Sequence, residues 1–217
     1  SMPEADLYVI GNALSRGNKC VEEILNKNFP YKSGPEMLGD IIKDRFVIAV
    51  SGTHGKTTTS FMIAKIFQSL GMDIGYLIGG ISPDFSFSAK IGSDEIFIIE
   101  ADEYDSAFFD KRSKFIHYSP NILLINNIEF DHADIFNDLD EIKKQFHHLL
   151  KIIPSSGKII LFNHDKNALD VINNGCWADI IEINGDASRA SFDSSSSKIK
   201  FDENSVYIND LPFYGLS

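Results

Sequence analysis

The amino-acid sequence predicts an α/β fold, a doubly wound and mostly parallel β-sheet with a small antiparallel β-sheet near the C-terminus. Short apolar runs rich in β-branched residues, such as Val47–Val50, recur along the chain, and such runs are typical of strands buried on both faces. Amphipathic helical stretches alternate with these runs, which favours parallel strands joined by right-handed crossovers. After Ser188 the helical period disappears and short alternating segments follow, which indicates antiparallel pairing.

The first segment, residues 1–44, is predicted to contain one strand and two helices. The strand covers Leu7–Ile10, and the helices cover about Lys19–Asn26 and Gly34–Lys43. One strand and two helices cannot form an independent sheet. We therefore interpret this segment as the end of a domain whose beginning is absent.

The second segment, residues 45–217, alternates between strands and helices. A long helix at about Leu139–Ile153 carries its apolar side chains on one face, as expected for a helix that covers a sheet. Ligands of such sheets bind at the carboxyl ends of the strands, so residues that follow a strand are the first candidates for a site. The remaining predictions are strands at Ile74–Ile81, Glu95–Glu100, Ile122–Asn127, Lys158–Phe162 and Asp179–Ile183, helices at Thr57–Leu70 and Asp165–Asn173, and antiparallel segments at Lys198–Phe201, Ser205–Ile208 and Leu211–Tyr214.

Composition and charge limit the classes of function. The 217 residues include 31 Asp or Glu and 20 Lys or Arg, for a net charge of −11, which argues against a nucleic-acid partner. The apolar runs are far shorter than the roughly 18 residues of a membrane span, so a membrane is not expected as a partner either. Cys20 and Cys176 lie far apart without metal-site spacing, as expected for reduced thiols of a cytoplasmic protein.

A glycine-rich turn at residues 52–58, here named the phosphate loop, joins a strand to the helix that follows. The N-terminus of a helix presents free N–H groups and a positive dipole end to an anion. Gly52 and Gly55 allow backbone amides to approach phosphate oxygens. Lys56 can reach the terminal phosphates, and the Thr57 hydroxyl can bind magnesium. The turn therefore predicts a P-loop that binds a nucleoside triphosphate.

The phosphate loop is a short form of the general pattern, because Val50 stands where that pattern has glycine. The alternative interpretation is a glycine turn at the start of an ordinary helix. The strand before the loop, the amphipathic helix after it and Gly71 at the helix end favour the nucleotide site.

Acidic and polar residues follow two further strands. Glu100 ends one predicted strand, and the segment 126–134, with His132, follows another. Because both strand ends lie at the same edge as the phosphate loop, Glu100 is a natural magnesium partner for Thr57. His132 is a less obvious one, since imidazole is a softer ligand than magnesium usually takes. The alternatives are a solvated sheet edge and a structural histidine.

Two polar segments outside the phosphate loop are candidates for contact with a charged substrate. The loop at 11–18 carries Asn12, Ser15 and Arg16, and Arg112 follows an aromatic pair. A solvated loop explains each segment equally well.

These motifs together resemble the Mur ligase family, ATP-dependent enzymes that join amino acids or peptides to UDP-N-acetylmuramic acid in building the bacterial cell wall. The family's phosphate loop is matched at 52–58, its acidic motif at Glu100–Glu103 and its histidine motif at Asn127–His132. Finer matches resemble the family members that use a recycled murein tripeptide. These finer matches lie at 11–18, 100–115, 127–136 and 145–148.

The resemblance implies a bacterial, cytoplasmic ligase of peptidoglycan synthesis and cell-wall recycling, with ATP and Mg²⁺ as cofactors. Its substrates would be UDP-N-acetylmuramate and the murein tripeptide L-alanyl-γ-D-glutamyl-meso-diaminopimelate, joined through an acyl phosphate. Lys56 would contact the β- and γ-phosphates. Thr57 and Glu100 would hold magnesium, and His132 would serve a second magnesium site. The implied catalytic residues are Lys56, Glu100 and His132, and the implied nucleotide contacts are Gly52, Thr53, His54, Gly55, Lys56, Thr57, Thr58 and Asn127.

The resemblance also implies a domain organisation. Residues 1–44 would be the C-terminal remnant of a UDP-sugar-binding domain, and residues 45–217 an incomplete central ATP-binding domain, with the C-terminal ligase domain absent. We expect such a fragment to bind Mg-ATP weakly and to lack ligase activity alone. The alternative within the family is a UDP-N-acetylmuramate–L-alanine ligase, and the alternative outside it is a non-catalytic P-loop module that only binds nucleotide.

Overall fold

The structure is a computed structural model that describes residues 2–131 and 136–183, together with the backbone of three strands between 190 and 207. It divides the chain into two compact units. The first consists of Ser1–Asp44 and Asp102–Ser119, and the second of Arg45–Ala101 and Pro120–Ser217. The predicted boundary after residue 44 coincides with a boundary between the units, whereas the assignment of Asp102–Ser119 to the first unit was not predicted.

Helices and strands alternate through most of the chain. The helices are Lys19–Asn26 (α1), Gly34–Ile42 (α2), Lys56–Ser69 (α3), Leu139–Leu150 (α4) and Lys166–Asn173 (α5), with a 3₁₀ turn at Lys114–His117. The strands are Tyr8–Ile10 (β1), Tyr31–Ser33 (β2), Phe46–Ser51 (β3), Gly75–Leu77 (β4), Ala89–Lys90 (β5), Ile96–Glu100 (β6), Asp105–Ala107 (β7), Asp110–Ser113 (β8), Ile122–Ile125 (β9), Lys158–Phe162 (β10), Asp179–Ile183 (β11), Ala190–Asp193 (β12), Lys198–Phe201 (β13) and Asn204–Tyr207 (β14).

The second unit is built on one large sheet. Over the described strands its order is β14-β13-β12-β11-β10-β9-β3-β6-β4-β5, and the strands from β11 to β4 in that order pair in parallel. The chain proceeds from β3 to β4 and β6 on one side and later to β9, β10 and β11 on the other. The central strand β3 is therefore the switch point at which ligands of such sheets bind. The predicted α/β class and its mostly parallel sheet are confirmed.

Apolar side chains from the sheet and from α3 form the core beside this switch point. Burying a large aliphatic or aromatic side chain contributes about 1.5–3 kcal/mol, so a core of this size holds β3 and α3 firmly in place. The amphipathic helix α4 buries the face that the sequence predicted and packs against α5. The buried residues of the core are Ile48, Phe61, Ala64, Ile74, Tyr76, Ile78, Phe85 and Ile98.

The first unit has its own small core, in which Ile10, Val21 and Ile24 are buried. The strands β1 and β2 pair in parallel, and β7 and β8 form an antiparallel ribbon. The ring of Phe109, which follows β7, packs edge-on against the ring of Tyr31 with 4.9 Å between their centroids. This aromatic contact helps to explain why Asp102–Ser119 joins the first unit.

Several predicted elements require correction. The first segment contains a second strand, β2, which the prediction of one strand missed because three residues are too short to show a period. The predicted strand Ile74–Ile81 is also wrong in length, since β4 ends at Leu77 and Gly80 turns the chain with φ +154°. The predicted antiparallel pairing near the C-terminus is confirmed for β12, β13 and β14, but these strands extend the large sheet, because β12 pairs with β11 at one position. The predicted strand Leu211–Tyr214 lies outside the described residues.

Across residues 2–131 and 136–183, no helix is long and apolar enough to cross a membrane.

Candidate functional site

The phosphate loop packs closely against the segment that follows β9. Gly52 has φ +127° and Gly55 has φ +77°, conformations that favour glycine. A Cβ on Gly52 would lie 2.9 Å from the carbonyl oxygen of Asn127, and one on Gly55 would lie 3.0 Å from Nδ2 of Asn126. Close packing is therefore a second reason for glycine at both positions. The first is the predicted approach of phosphate to their amides.

Two asparagines hold the backbone of the phosphate loop. The N–H of Thr53 donates to the carbonyl oxygen of Asn127 at 2.9 Å, and the N–H of His54 donates to Oδ1 of Asn127 at 2.8 Å. Nδ2 of Asn126 donates to the carbonyl oxygen of His54 at 3.1 Å. Asn127 therefore supports the loop directly, and its predicted contact with nucleotide stays a prediction.

A third link to the same segment comes from the side chain of Thr53, a residue that is only 7% exposed. Its hydroxyl accepts from the N–H of Glu129 at 2.8 Å and donates to the Glu129 carbonyl oxygen at 3.1 Å. The loop is thus bound to the 127–129 segment through both backbone and side chain. Such support keeps loop amides in position before an anion arrives, which reduces the cost of binding.

The helix that follows the phosphate loop starts differently from the other described helices. Side chains of Asn18, Ser33, Asp138 and Asp165 accept hydrogen bonds at the N-termini of α1, α2, α4 and α5. In contrast, α3 starts after Gly55, with no side-chain cap and no acidic residue in its first turn. The first-turn N–H groups of α3 are therefore oriented for an external anion, which is how helix N-termini bind phosphate.

The first turn of α3 also brings a positive charge to the loop. Nζ of Lys56 donates to the carbonyl oxygen of Gly52 at 2.6 Å and to that of Thr53 at 3.3 Å. Thr58 lies exposed on the same turn. The predicted loop residues thus form one contiguous surface, in which a lysine ammonium and helix N–H groups can share the charge of a polyphosphate.

The carboxylate of Glu100, at the end of β6, meets the first turn of α3. The hydroxyl of Thr57 lies 2.9 Å from Oε1 and 3.0 Å from Oε2 of Glu100. The N–H of Gly79 donates to the same carboxylate at 2.8 Å, and the Thr57 hydroxyl lies 3.1 Å from the Gly79 carbonyl oxygen. The structure therefore brings together the two predicted magnesium ligands, one from the first turn of α3 and one from the end of β6.

These oxygens fit magnesium chemically. Mg²⁺ prefers hard oxygen ligands and usually takes only one or two from the protein, keeping water and phosphate oxygens for its other positions. No group of three or more His, Cys, Asp or Glu side chains that could hold a metal occurs among the described residues, so a site formed by Thr57 and Glu100 would be of this sparse type. His132, the predicted ligand of a second site, lies outside the described residues.

Gly79 and Gly80 are site residues that the sequence interpretation missed, because it placed them inside a strand. A Cβ on Gly80 would lie 2.8 Å from Cγ2 of Thr57, and one on Gly79 would lie 3.3 Å from Oε2 of Glu100. The glycine pair thus lets the chain after β4 pass close to both side chains. Two consecutive glycines at the end of an apolar run were the signal that could have revealed this turn.

The substrate candidates of the 11–18 loop belong to the first unit. Asn12, Ser15 and Arg16 are exposed, and Arg16 forms two hydrogen bonds with Glu22 at 2.9 and 3.0 Å. These bonds and the N–H of Gly17 lower the pKa of Glu22 to about 2. The guanidinium group is thus held in place by an intramolecular partner, and contact of these residues with a substrate stays a prediction.

Arg112 lies in the same unit and pairs with Asp110. Two of its nitrogens donate to the carboxylate at 2.8 Å, and Nε2 of His117 lies 2.9 Å from Asp110 Oδ2. The hydrogen bonds from Arg112 lower the pKa of Asp110 to about 2, although partial burial opposes this shift. The Arg112 side chain remains 61% exposed, so it is accessible to a ligand while it is paired.

A second group of residues missed by the sequence interpretation follows β10. Oδ2 of Asp165 accepts from the N–H of Ile128 at 2.7 Å, and Nδ2 of Asn167 donates to the Ile128 carbonyl oxygen at 2.7 Å. A cleft of about 530 Å³ lies between these two segments, which are residues 126–129 and 162–167. A carboxylate three residues after the end of β10, just before a helix, was the available signal, but the sequence does not show which loop it contacts.

Comparison with known proteins agrees with the geometry of this site. The family model of the Mur ligase middle domain matches residues 50–210. The chain is 54% identical over 178 residues to the UDP-N-acetylmuramate–L-alanyl-γ-D-glutamyl-meso-2,6-diaminoheptandioate ligase of Escherichia coli strain K12, covering 82% of this chain and 39% of that protein. It is 34% identical over 173 residues to a UDP-N-acetylmuramate–L-alanine ligase of Clostridium botulinum strain Langeland, covering 79% of this chain and 36% of that protein.

A comparison with solved structures also finds a similar ligase. The crystal structure of a UDP-N-acetylmuramate:L-alanyl-γ-D-glutamyl-meso-diaminopimelate ligase from Neisseria meningitides superposes with a TM-score of 0.86 at 40% identity, covering 93% of this chain and 66% of that one. The chain thus spans less than half the length of the two curated relatives and about two thirds of this solved chain. The matches to the family model, to the relatives and to the solved fold agree, and the chain belongs to the Mur ligase family.

Proposed function

We propose that this chain is the ATP-binding part of a cytoplasmic ligase that joins UDP-N-acetylmuramate to the murein tripeptide L-alanyl-γ-D-glutamyl-meso-diaminopimelate. The observation that carries the proposal is the contact between the Thr57 hydroxyl and the Glu100 carboxylate at the start of α3. This contact supports the proposal because the two oxygen-bearing side chains lie together at the phosphate loop, where a magnesium ion could bind between them and a polyphosphate. The 54% identity to the E. coli tripeptide ligase, against 34% to the alanine ligase, favours the tripeptide as the second substrate.

In the proposed reaction, a carboxylate oxygen of UDP-N-acetylmuramate attacks the γ-phosphorus of ATP. The bond between the γ-phosphorus and the bridging oxygen breaks, and ADP leaves. The amine of the tripeptide then attacks the acyl carbon of the resulting acyl phosphate, an amide bond forms, inorganic phosphate leaves and the amine loses a proton. Each step is a displacement that requires alignment of the reacting groups and neutralisation of phosphate charge.

The residues of the chain divide this work. The amides of the phosphate loop and of the first turn of α3 bind the β- and γ-phosphates, and Lys56 offsets their charge. Thr57 and Glu100 hold Mg²⁺, and His132 serves a second metal position. A bound magnesium ion supplies Lewis-acid stabilisation of charge on the phosphoryl oxygens. Among the first-unit residues, Asn12, Ser15, Arg16 and Arg112 are proposed to contact the nucleotide-sugar substrate.

Nucleotide titration of matched lysine variants tests the binding half of this proposal. Lys56 and Lys65 both lie on α3, but Lys65 pairs with Asp84 at 3.1 Å instead of with the loop. We expect Lys56→Ala to raise the Kd for Mg-ATP at least tenfold, about 1.4 kcal/mol, while Lys65→Ala binds like the parent chain. Equal Kd values for the two variants would refute the assignment of the loop.

A chimera tests the catalytic half. This chain would replace the matched segment in the E. coli tripeptide ligase and, separately, in the C. botulinum alanine ligase. We expect ADP release that depends on UDP-N-acetylmuramate and tripeptide in the first chimera only, and Lys56→Ala should abolish it. Activity confined to the second chimera would show that this chain functions only with the remaining domains of the alanine ligase, and it would favour that alternative. Nucleotide binding without turnover in either chimera would favour a non-catalytic module.

A further inference from the structure

Two side chains at the start of α5 bind the backbone of one residue, Ile128, in the segment after β9. Oδ2 of Asp165 accepts from the N–H of Ile128, and Nδ2 of Asn167 donates to the carbonyl oxygen of the same residue, each at 2.7 Å. Ile128 is fully buried. Both polar groups of a buried residue are therefore satisfied from α5, and one of these hydrogen bonds is strengthened by a carboxylate charge.

The residues on either side of Ile128 carry the phosphate loop. Asn127 accepts from the N–H groups of Thr53 and His54, and Glu129 exchanges two hydrogen bonds with the Thr53 hydroxyl. A displacement of the Ile128 backbone would move both neighbours, and through them the amides of the loop. The path from α5 to the loop consists of direct contacts only, without a solvent gap.

We propose that Asp165 is a positioning residue for the nucleotide site, which fixes the 127–129 segment and thereby the amides of the phosphate loop. This role rests on the proposed binding of Mg-ATP at that loop. This positioning role extends the proposed site from the ends of β3 and β6 to the end of β10. No phosphate or magnesium contact is proposed for residues that follow β10. Asn167 supports the same residue by binding its carbonyl oxygen.

Asp165 also caps α5, so its two functions must be separated. Its Oδ1 accepts from the N–H groups of Asn167 and Ala168, whereas Oδ2 binds Ile128. Asn is as good an N-cap residue as Asp, so Asp165→Asn keeps the cap but turns an N–H group toward the N–H of Ile128. This substitution breaks the link to the loop and leaves the start of the helix intact.

A matched control exists at another helix. Asp138 caps α4 by accepting from the N–H of Glu141 at 2.9 Å, and Asp138→Asn makes the same chemical change there. The experiment compares Asp165→Asn, Asp138→Asn and the parent chain. It measures the Kd for Mg-ATP, the urea unfolding midpoint, and the amide NMR frequencies of Thr53 and His54 without nucleotide.

We expect Asp165→Asn to shift the Thr53 and His54 amide frequencies and to raise the Kd about tenfold, about 1.4 kcal/mol, while Asp138→Asn changes neither. If both variants leave the frequencies and the Kd at parent values, Asp165 is only a helix cap and the proposal is wrong. If Asp165→Asn fails to fold, Asn167→Ala replaces it in the same measurements against Asp138→Asn and the parent chain. Asn167→Ala loses only the hydrogen bond to the Ile128 carbonyl oxygen.

The NMR measurement separates this proposal from the proposed function. If the parent chain shows no Mg-ATP binding, the function is refuted for this chain. The amide frequencies of Thr53 and His54 then still decide whether Asp165 positions the loop, because they are read without nucleotide. Unchanged frequencies in Asp165→Asn would refute the positioning role independently of any ligand.

Discussion

The hydroxyl of Thr57 lies within 3.0 Å of both carboxylate oxygens of Glu100, although 42 residues separate the two in the chain. The contact joins the first turn of α3 to the end of β6, which is the direct parallel neighbour of β3. The same carboxylate accepts from the N–H of Gly79, which fixes its orientation. A carboxylate held in this way is preorganised to bind a cation that also contacts phosphate.

Replacement of the carboxylate by an amide tests its metal role. Glu100→Gln keeps an oxygen for the Gly79 N–H but loses the negative charge, so we expect the Kd for ATP to rise about tenfold in Mg²⁺, about 1.4 kcal/mol. In EDTA the Kd should change little, because no metal bridges the protein and the phosphates. Isothermal titration under both conditions measures this. Glu95→Gln, at an exposed position before β6, is the control, and an unchanged Kd of Glu100→Gln in Mg²⁺ would contradict the assignment.

The turn at Gly80 should be sensitive to a single methyl group. Its φ of +154° is unfavourable for other residues, and a Cβ would lie 2.8 Å from Cγ2 of Thr57. We expect Gly80→Ala to lower the free energy of unfolding by about 1–3 kcal/mol and to weaken Mg-ATP binding, since Thr57 must move. Gly11→Ala, where a Cβ would meet no atom within 4 Å, should change neither quantity. Urea unfolding and nucleotide titration measure the two effects.

The pair of Asp110 and Arg112 should make the stability of the first unit dependent on pH. Hydrogen bonds from Arg112 lower the pKa of Asp110 from 3.8 to about 2. A carboxyl group whose pKa is lower in the folded state stabilises that state above its unfolded pKa. This contribution is therefore complete above about pH 4 and is lost as the pH falls from there towards 2.

Arg112→Gln removes the charge that lowers this pKa. We expect the variant to titrate Asp110 at a higher pH than the parent chain, as measured from the NMR frequency of its carboxyl carbon. Its free energy of unfolding should also depend less steeply on pH below 4. Arg16→Gln, which affects the half-buried Glu22 instead, should leave the Asp110 titration unchanged. A parent-like Asp110 titration in Arg112→Gln would show that another group controls the pKa.

The chain alone should bind nucleotide without completing the reaction. It spans 39% of the length of the E. coli relative, and the family resemblance implies that the amine substrate binds to a further domain. We expect weak Mg-ATP binding and no ADP release that depends on tripeptide. A coupled assay of ADP measures this, with the E. coli enzyme as the positive control. Turnover by the 217-residue chain that depends on tripeptide would contradict the prediction.

Much of the fold could be predicted from the sequence because the relevant signals are local. The periodicity of 139–150 is contained in the helix itself, and the bounds of α1, β10 and β11 match the predicted ones. The order of glycine, lysine and threonine at 52–57 likewise predicts phosphate binding without reference to distant residues. The failures include β2, β5, β7 and β8, each too short to show a period, and the turn at Gly79–Gly80, which an apolar run concealed.

The sequence by itself determined the α/β class, the phosphate loop and the residue types of the proposed metal site, since each depends on neighbours along the chain. Only the tertiary structure decided that Glu100 meets Thr57, that Asn127 supports the loop and that Asp165 holds Ile128. These contacts depend on which strands become neighbours and in which register, such as Ser51 beside Ile125 and Ile125 beside Leu161. The hydrophobic pattern of a strand can specify its register only once its partner strand is known, and tertiary packing decides which distant segments become partners.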